Sequence, residues 1–344
     1  MAKVVFITQQ VDPRHPALAA TVPKIRALAA LVDEVVVIAD GAVPETLPEN
    51  CRVRTFRAGH KVLRGARFET ALARELGGLR GGAVVAHMCP IYAVLAAPLV
   101  RPLQVPLVLW FTHWRASDLL RWAERSSTAV TSVDDRSFPF RSKKLRAIGH
   151  GIDLDDFPCA APREGAGTKL IALGRYSTAK GLDVAIAAVP LAGDDVELAI
   201  HGPALSDDER AHRIELEQLV AELGLEVRVT VGDAVPRGEI PALLAVHDAL
   251  VNNMRAGAPD KVVYEAAASC LPVLASNPVF DELLDPEQRF TRWDPSALAE
   301  RIRALAALDR AERAAIGHRL RERVAESHSV QSWARGILDA AGIA

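Results

Sequence analysis

The chain has 344 residues and lacks most of the signatures that would classify it at sight. No G-x-G-x-x-G follows its first expected strand, which argues against a nicotinamide enzyme, and no G-x-x-x-x-G-K-[ST] occurs, which excludes a Walker phosphate loop. Its four cysteines, Cys51, Cys89, Cys159 and Cys270, are scattered without a C-x-x-C pair. Zinc is therefore not expected, and a chain this long does not need a disulfide framework. The acidic side chains form no evident metal-binding cluster, so no metal is expected. No apolar run reaches the length of a membrane span. The opening MAKVVFITQQ turns polar at Thr8-Gln9-Gln10, too early for a signal peptide, and the expected localisation is cytoplasmic. A formal net charge of −2 gives no ground for nucleic-acid binding.

Half of the residues are hydrophobic, enough to fill two domains. Charge is uneven along the chain. Residues 1–165 hold 22 Lys and Arg against 16 Asp and Glu, leaving 19 against 27 for the rest. Much of the excess lies between Arg52 and Arg80. The helix expected over 63–79 carries Arg64, Arg67 and Arg74. It is either a solvated face or a basic surface for an anionic acceptor or a membrane.

Short β-branched runs alternate with helical patterns throughout, the pattern of parallel sheets. In the first half, strands are expected at 3–8, 34–39, 53–56, 83–87, 106–111 and 129–132. Helices are expected at 17–31, 63–79 and 90–99. Gln9 to Pro16 is expected as the loop after the first strand, where open α/β sheets place ligands. Gln9 and Gln10 are candidates there. His87 and His113, at or just past strand ends, are either crevice residues or ordinary capping and core histidines. Residues 163–168, REGAGT, read as a linker. The second half repeats the pattern. Strands are expected at 169–173, 196–201, 227–231, 249–251 and 272–275, with helices at 182–188, 207–223, 237–246, 261–268, 295–308, 310–327 and 331–341.

Two stretches of the second half carry the chemistry. In Gly174 to Gly181, Arg175 and Lys180 flank a polar loop between a strand and a helix. Two cations near a helix N-terminus suit a diphosphate, although each alone reads equally well as a surface charge. In Val251 to Ser276 a strand leads through the loop 252–260 into the helix 261–268 and a further strand. Glu265 stands on that otherwise apolar helix. Such a carboxylate is costly unless a partner such as a ribose diol accepts it, or unless it faces solvent.

Three segments together carry a resemblance. LGRYSTAKGLDVAIAAV is similar to the G-R-x-x-x-x-K-G-x-D signature of retaining glycosyltransferases of the GT-B fold, family 4. DKVVYEAAASCLPVLAS is similar to their E-A-x-A-x-G-x-P-V-[IL]-A stretch. GHGID with Phe157 resembles N-G-[IV]-D-x-x-x-F. Their order and spacing agree, and the resemblance spans the chain.

It implies an α/β GT-B protein of two Rossmann-like domains with parallel sheets facing across a cleft. The N-terminal domain would occupy 1–162, with the linker at 163–168 and the nucleotide-sugar domain at 169–328. A terminal helix at 329–344 would pack back on the first domain. It implies transfer of a hexose, with retention, from a nucleotide-diphosphate sugar (UDP- or GDP-sugar) to a glycan, lipid-linked or small-molecule acceptor. The basic first half adds an expectation of peripheral contact with an anionic membrane at its inner face. Gly174, Arg175 and Lys180 would hold the diphosphate and Glu265 the ribose. His113 would stand near the reacting centre. No paired catalytic carboxylates and no metal would be required.

The chain departs from this pattern at several points. The first of the family's two glutamates falls at Gly257. Arg255 or Asp260, or the backbone N–H groups of Ala256, Gly257 and Ala258, would have to replace it in the donor-sugar loop, which ends at Lys261. His150 stands for the usual Asn and Cys270 for a usual Gly, and Gln9 to Pro16 replaces a glycine-rich loop. Gln9, Gln10, His87 and His150 are the acceptor-side candidates. The competing readings are a sugar-nucleotide epimerase, which would act without an acceptor, and a silent nucleotide-sugar-binding subunit. A periplasmic solute-binding protein shares the two-lobed form but would need an export signal.

Overall fold

The computed structural model describes residues 2–15 and 18–343. Pro16 and Ala17, the junction of an expected loop and helix, lie outside them. The chain forms two compact units, Met1–Asp153 with Ser327–Ala344, and Leu154–Glu326.

The first unit runs β1 (Lys3–Val11), α1 (Thr21–Ala29), β2 (Glu34–Ala42), β3 (Cys51–Thr55), α2 (Lys61–Leu76), β4 (Ala83–His87), α3 (Pro90–Val100), β5 (Leu107–Trp110), α4 (Asp118–Ser126), β6 (Ala129–Ser132) and β7 (Leu145–Ala147). Its seven strands are all parallel, in the order β3-β2-β1-β4-β5-β6-β7. The central strands are continuous apolar runs because both faces of the sheet are covered: Val4 to Ile7 and Val35 to Ala39 are fully buried. Phe56, Phe68 and Tyr92 pack edge-on or tilted in the core shared with α2 and α3.

The second unit runs β8 (Thr168–Leu173), α5 (Leu182–Ala192), β9 (Val196–His201), α6 (Asp207–Glu222), β10 (Val229–Gly232), α7 (Ile240–Ala245), β11 (Ala249–Asn252), α8 (Lys261–Ala268), β12 (Val273–Ala275), α9 (Pro295–Ala306) and α10 (Arg310–Ser327). Its parallel sheet has the order β10-β9-β8-β11-β12. The last helix, α11 (Val330–Ala341), belongs to the first unit and packs on α1. Residues 163–167 are held within the second unit. Arg163 donates to the Asp248 carboxylate at 2.8 and 3.1 Å and to the Gly167 carbonyl at 2.7 Å. Arg313 and the Lys169 amide complete the shell of that buried carboxylate.

Several expectations need correction. Gln9 and Gln10 are not loop: β1 continues to Val11, with Gln10 opposite Gly41 and Val11 opposite Ala42. A Cβ at Gly41 would press on the mobile end of the Gln10 side chain. The helix α4 has no counterpart in the sequence reading, although Ser117 caps it by accepting from the Leu120 amide at 3.2 Å. The cysteines are not all unpaired, since Cys159 and Cys270 form a disulfide across 111 residues. Their spacing gave no hint of it. The pairing arises because the chain at Ala160 runs beside the end of α8, its amide donating to the Ser269 carbonyl at 3.1 Å. Cys51 and Cys89 are free. At the start of the basic stretch 52–80, Arg52 and Arg54 are paired internally with acids. Glu75, 2% exposed, accepts from Lys3 at 2.8 Å and from Arg54, while Arg52 pairs with Glu34.

No helix among the described residues is long and apolar enough to cross a membrane.

Candidate functional site

The cationic loop follows β8. Gly174 has φ +130, and any Cβ there would collide with the Lys180 ammonium. Lys180 folds back over it, donating to the Leu173 carbonyl at 3.2 Å and pairing closely with Asp260. A 3-10 turn at Thr178–Lys180 ends on Gly181 in the left-handed conformation, and α5 starts at Leu182. A side chain at 181 would run into Asn253 and the Trp293 ring.

The loop after β11 is joined to this one. The Arg255 amide donates to the Ala179 carbonyl at 3.0 Å, and Asn253 to the Gly181 carbonyl at 3.3 Å. Asn252 donates to the same Asp260 oxygen that holds Lys180, at 2.7 Å. Asn277 shapes the turn, donating to the Arg255 and Ala258 carbonyls at 2.8 and 2.9 Å and accepting from the Gly257 amide at 3.3 Å. Gly257 has φ +79, so a glutamate at this position would be strained in this turn. The Gly257 and Ala258 amides are already engaged, with Asn277 and with the Arg255 carbonyl. They do not offer the free N–H groups that the sequence reading considered.

Glu265 is 4% exposed. The solvated-face alternative is therefore set aside, and the carboxylate does have partners. They are Lys261, one turn earlier at 3.0 Å, and Arg237 at 2.7 Å. The Lys261–Glu265 spacing was legible. Arg237 was missed because it arrives from the turn before α7. It stacks over Phe157, 5.3 Å from the ring centroid, and lies 3.6 Å from Asp156. Arg175 is not drawn to Lys180. Its guanidinium pairs with Glu209 in the first turn of α6 at 2.7 Å, while remaining half exposed.

The second unit thus brings together Gly174, Lys180, Asp260 and the loop 255–258, with Lys261, Arg237 and Glu265 one helical turn further on. Lys180, Arg175, Lys261 and Arg237 each have an internal counter-ion. A diphosphate entering here would compete with Asp260 for Lys180 and with Glu209 for Arg175.

The remaining candidates belong to the first unit. His113 is exposed beyond β5, and its Nδ1 accepts from the Arg115 amide at 3.0 Å, which leaves the neutral ring's proton on Nε2. Partial burial and the Arg115 charge hold its pKa below the usual imidazole range. His87 is a core residue and not a crevice one. It is 5% exposed and surrounded by Phe6, Trp110 and Trp333, and neither ring nitrogen has a hydrogen-bond partner among the described residues. Burial first, then the nearby Lys24 charge, push its pKa well below the usual range. His150 stands between Gly149 and Gly151, both left-handed. These glycines admit the start of α11: a Cβ on Gly149 would collide with the Ser327 carbonyl, and one on Gly151 would lie 3.1 Å from Trp333. Gln9 is exposed, and Gln10 covers Gly41.

The fold is GT-B, shared with solved glycosyltransferases at low sequence identity. HepE from Anabaena, solved with UDP and glucose, superposes with a TM-score of 0.75 at 18% identity over 99% of both chains. Sucrose-phosphate synthase from Thermosynechococcus elongatus gives 0.77 at 18% identity over 98% of both. A glycosyltransferase from Rickettsia africae gives 0.76 at 14% identity, over 99% of this chain and 97% of that one. Residues 161–323, all within the second unit, match the sequence model of the family Glycosyl transferases group 1. That match, on a GT-B fold, supports a group 1 glycosyltransferase. No curated protein matches the sequence.

Proposed function

We propose that the protein moves a sugar from a nucleotide-diphosphate sugar to an acceptor with retention of anomeric configuration. The observation that carries this reading is the joining of two loops through Lys180 and Asp260 beside the buried Glu265, inside the segment that matches the family. The second unit would hold the donor, with the diphosphate on Gly174, Arg175 and Lys180. The ribose diol would reach Glu265, competing there with Arg237 and Lys261. In transfer, the bond from the anomeric carbon to the diphosphate oxygen breaks and its electron pair leaves with the nucleoside diphosphate. Arg175 and Lys180 neutralise that developing charge. The new glycosidic bond forms to the acceptor hydroxyl, whose proton leaves with the departing phosphate. His113 in the first unit, neutral and presenting Nε2–H, would donate to the transferred sugar. The donor-sugar loop 255–261 is set by Asn277 in place of a first glutamate.

HepE was solved with UDP and UDP-glucose, which makes the uridine series the first donor to test. Uridine, guanosine and adenosine diphosphates and their sugars are added to the protein and the melting temperature is recorded. One series is expected to raise it, by the equivalent of about 2.7 kcal/mol at one hundred times its dissociation constant. Glu265→Ala is expected to abolish that shift. No shift with any nucleotide would remove the donor-site reading. A shift without transfer to any acceptor would favour the silent binding subunit, and turnover of the nucleotide sugar without acceptor would favour the epimerase.

A further inference from the structure

We propose that Cys159, Cys270 and His318 form a thiol–disulfide exchange site whose redox state is transmitted to Glu265. Coupling to Glu265 as a ligand residue rests on the function proposed above, whereas the exchange chemistry does not.

Three observations define the chemistry. The two sulfurs are bonded, and the His318 Nδ1 lies 3.8 Å from the sulfur of Cys159 and 3.7 Å from that of Cys270. Among the described residues this is the sole group of three or more His, Cys, Asp and Glu side chains close enough to share a ligand. The partners differ in access: Cys159 and His318 are exposed, and Cys270 is 5% exposed beside a small pocket of about 20 Å³ lined also by Ala160, Ser269 and Leu271. An incoming thiolate therefore meets the Cys159 sulfur and expels the Cys270 sulfur toward the imidazole. Cys270 is also held at φ +60, a left-handed conformation costly for a residue with a Cβ.

With a dithiol as reductant the step balances. Its thiolate bonds to the Cys159 sulfur as the Cys159–Cys270 bond breaks. The electron pair stays on the Cys270 sulfur, which takes a proton relayed by His318. The second reductant thiol then displaces Cys159, which is protonated in turn. The protein gains two electrons and two protons, and the reductant leaves as its own disulfide. A positively charged imidazole beside a sulfur favours the thiolate, which is the form that leaves readily.

Both arms of the bridge lead to one carboxylate. Cys270 follows the end of α8, the helix that carries Lys261 and Glu265. Cys159 lies two residues after Phe157 and three after Asp156, which flank the Arg237 guanidinium that holds Glu265. Opening the bridge need not unfold this region. Arg321 still ties the Phe157 carbonyl to the Ala268 carbonyl, and the Ala160 amide still reaches Ser269. Reduction therefore removes one constraint on Arg237 and α8 and leaves the remainder in place.

The full-length protein is equilibrated in dithiothreitol redox buffers without denaturant. Reactive thiols are alkylated, and peptides are assigned by mass. Cys159 and Cys270 are expected to pass together from bonded to alkylated while the circular dichroism stays native. His318→Gln is expected to slow reduction about tenfold. UDP affinity, or that of whichever nucleotide binds, is expected to fall at least threefold on reduction. Cys159→Ser, which keeps the same fold contacts, is expected to show the reduced value in either buffer. Alkylation of both residues before any reductant, zinc held by the two thiols, reduction only upon unfolding, or a His318→Gln variant with an unchanged reduction rate would each overturn the exchange site. Equal nucleotide affinity in both states would overturn the coupling. Absence of nucleotide binding in either state, with thiol exchange intact, would instead fault the donor-site reading. The coupling would then be judged by the hydrogen-exchange protection of α8 in the two redox states, and equal protection would overturn it.

Discussion

Lys180 shows how a side chain can be both half-buried and held ready. Its side chain is 11% exposed, and its ammonium is satisfied by Asp260 and the Leu173 carbonyl. An anion that replaces Asp260 on Lys180 exchanges one charge-assisted contact for another, while Asp260 keeps its hydrogen bond from Asn252. Arg175 is anchored differently, on Glu209 at the rim. If both residues neutralise a leaving diphosphate, each makes a contact of about 1.5–3 kcal/mol that matters at the transition state. Lys180→Ala and Arg175→Ala are each expected to lower kcat/KM by roughly ten- to a hundredfold or more. Lys180→Ala also leaves Asp260 unmatched, so its melting temperature must be measured beside its rate. The double variant Lys180→Ala with Asp260→Asn separates the two effects, recovering stability but not turnover. Near-normal turnover in both single variants would refute the phosphate assignment.

At the scale of elements, α11 shows the importance of a small terminal piece. Trp333 is fully buried and meets Trp110 edge-on at 5.7 Å and Phe6 at 6.3 Å. The Lys24 ammonium lies over both indoles, 4.7 Å from Trp110 and 5.1 Å from Trp333. The chain reaches this position through Gly149 and Gly151, with the Gly151 and Ile152 amides donating to the His328 carbonyl at 3.0 and 2.7 Å. Trp333→Ala leaves a large void and strips a face from Lys24. Calorimetry is expected to show the first unit destabilised by about 3–5 kcal/mol. A loss under about 1 kcal/mol would mean that α11 is dispensable to the first unit. The periodicity of α11 and its tryptophan were legible. The requirement for glycine on both sides of His150 was not, because it arises from the approach of residues 327–333 and not from any local turn preference.

For the molecule as a whole, acid stability follows from its buried histidines before its carboxylates. Burial holds His328 down to about 4, and His87 is also well below the ordinary range. Below about pH 6.5 the unfolded chain takes up protons that the folded chain refuses, so stability falls as pH drops from about 6.5 toward 4. The slope is about 1.4 kcal/mol per pH unit for each such group, or roughly 2 kcal/mol from His328 alone between pH 6.5 and 5. For Glu75, burial pulls upward but Lys3 and Arg54 outweigh it, and Arg52 holds Glu34 low. Those carboxylates stabilise the fold above their unfolded range and lose that contribution only as pH falls through their lower folded values. Denaturant titrations at pH 7, 6 and 5 are expected to show the histidine phase first. His328→Gln is expected to lower that slope by about 1.4 kcal/mol per pH unit and to leave the share of His87, whatever the variant's absolute stability. A flat profile down to pH 5 in the parent protein would contradict the buried-histidine account.

Much of the architecture was readable without coordinates because it is written in local patterns. β4, β6, β9, α8 and α10 begin and end where apolar runs and turn residues place them, and the alternation of strand and helix fixes parallel sheets. The buried Glu265 announced itself as a carboxylate on an apolar helix. Gly257 was visible as a departure, and its φ of +79 supplies the reason. Tertiary structure alone decided which charges face each other. Arg237 reaches Glu265 across 28 residues, Asp260 reaches Lys180 across 80, and Cys159 reaches Cys270 across 111. Hydrophobic period and turn chemistry are properties of neighbours in sequence, so they survive in the sequence read alone. Ion pairs and disulfides depend on where the chain returns after a crossover, and that return is set by the packing of whole sheets and helices.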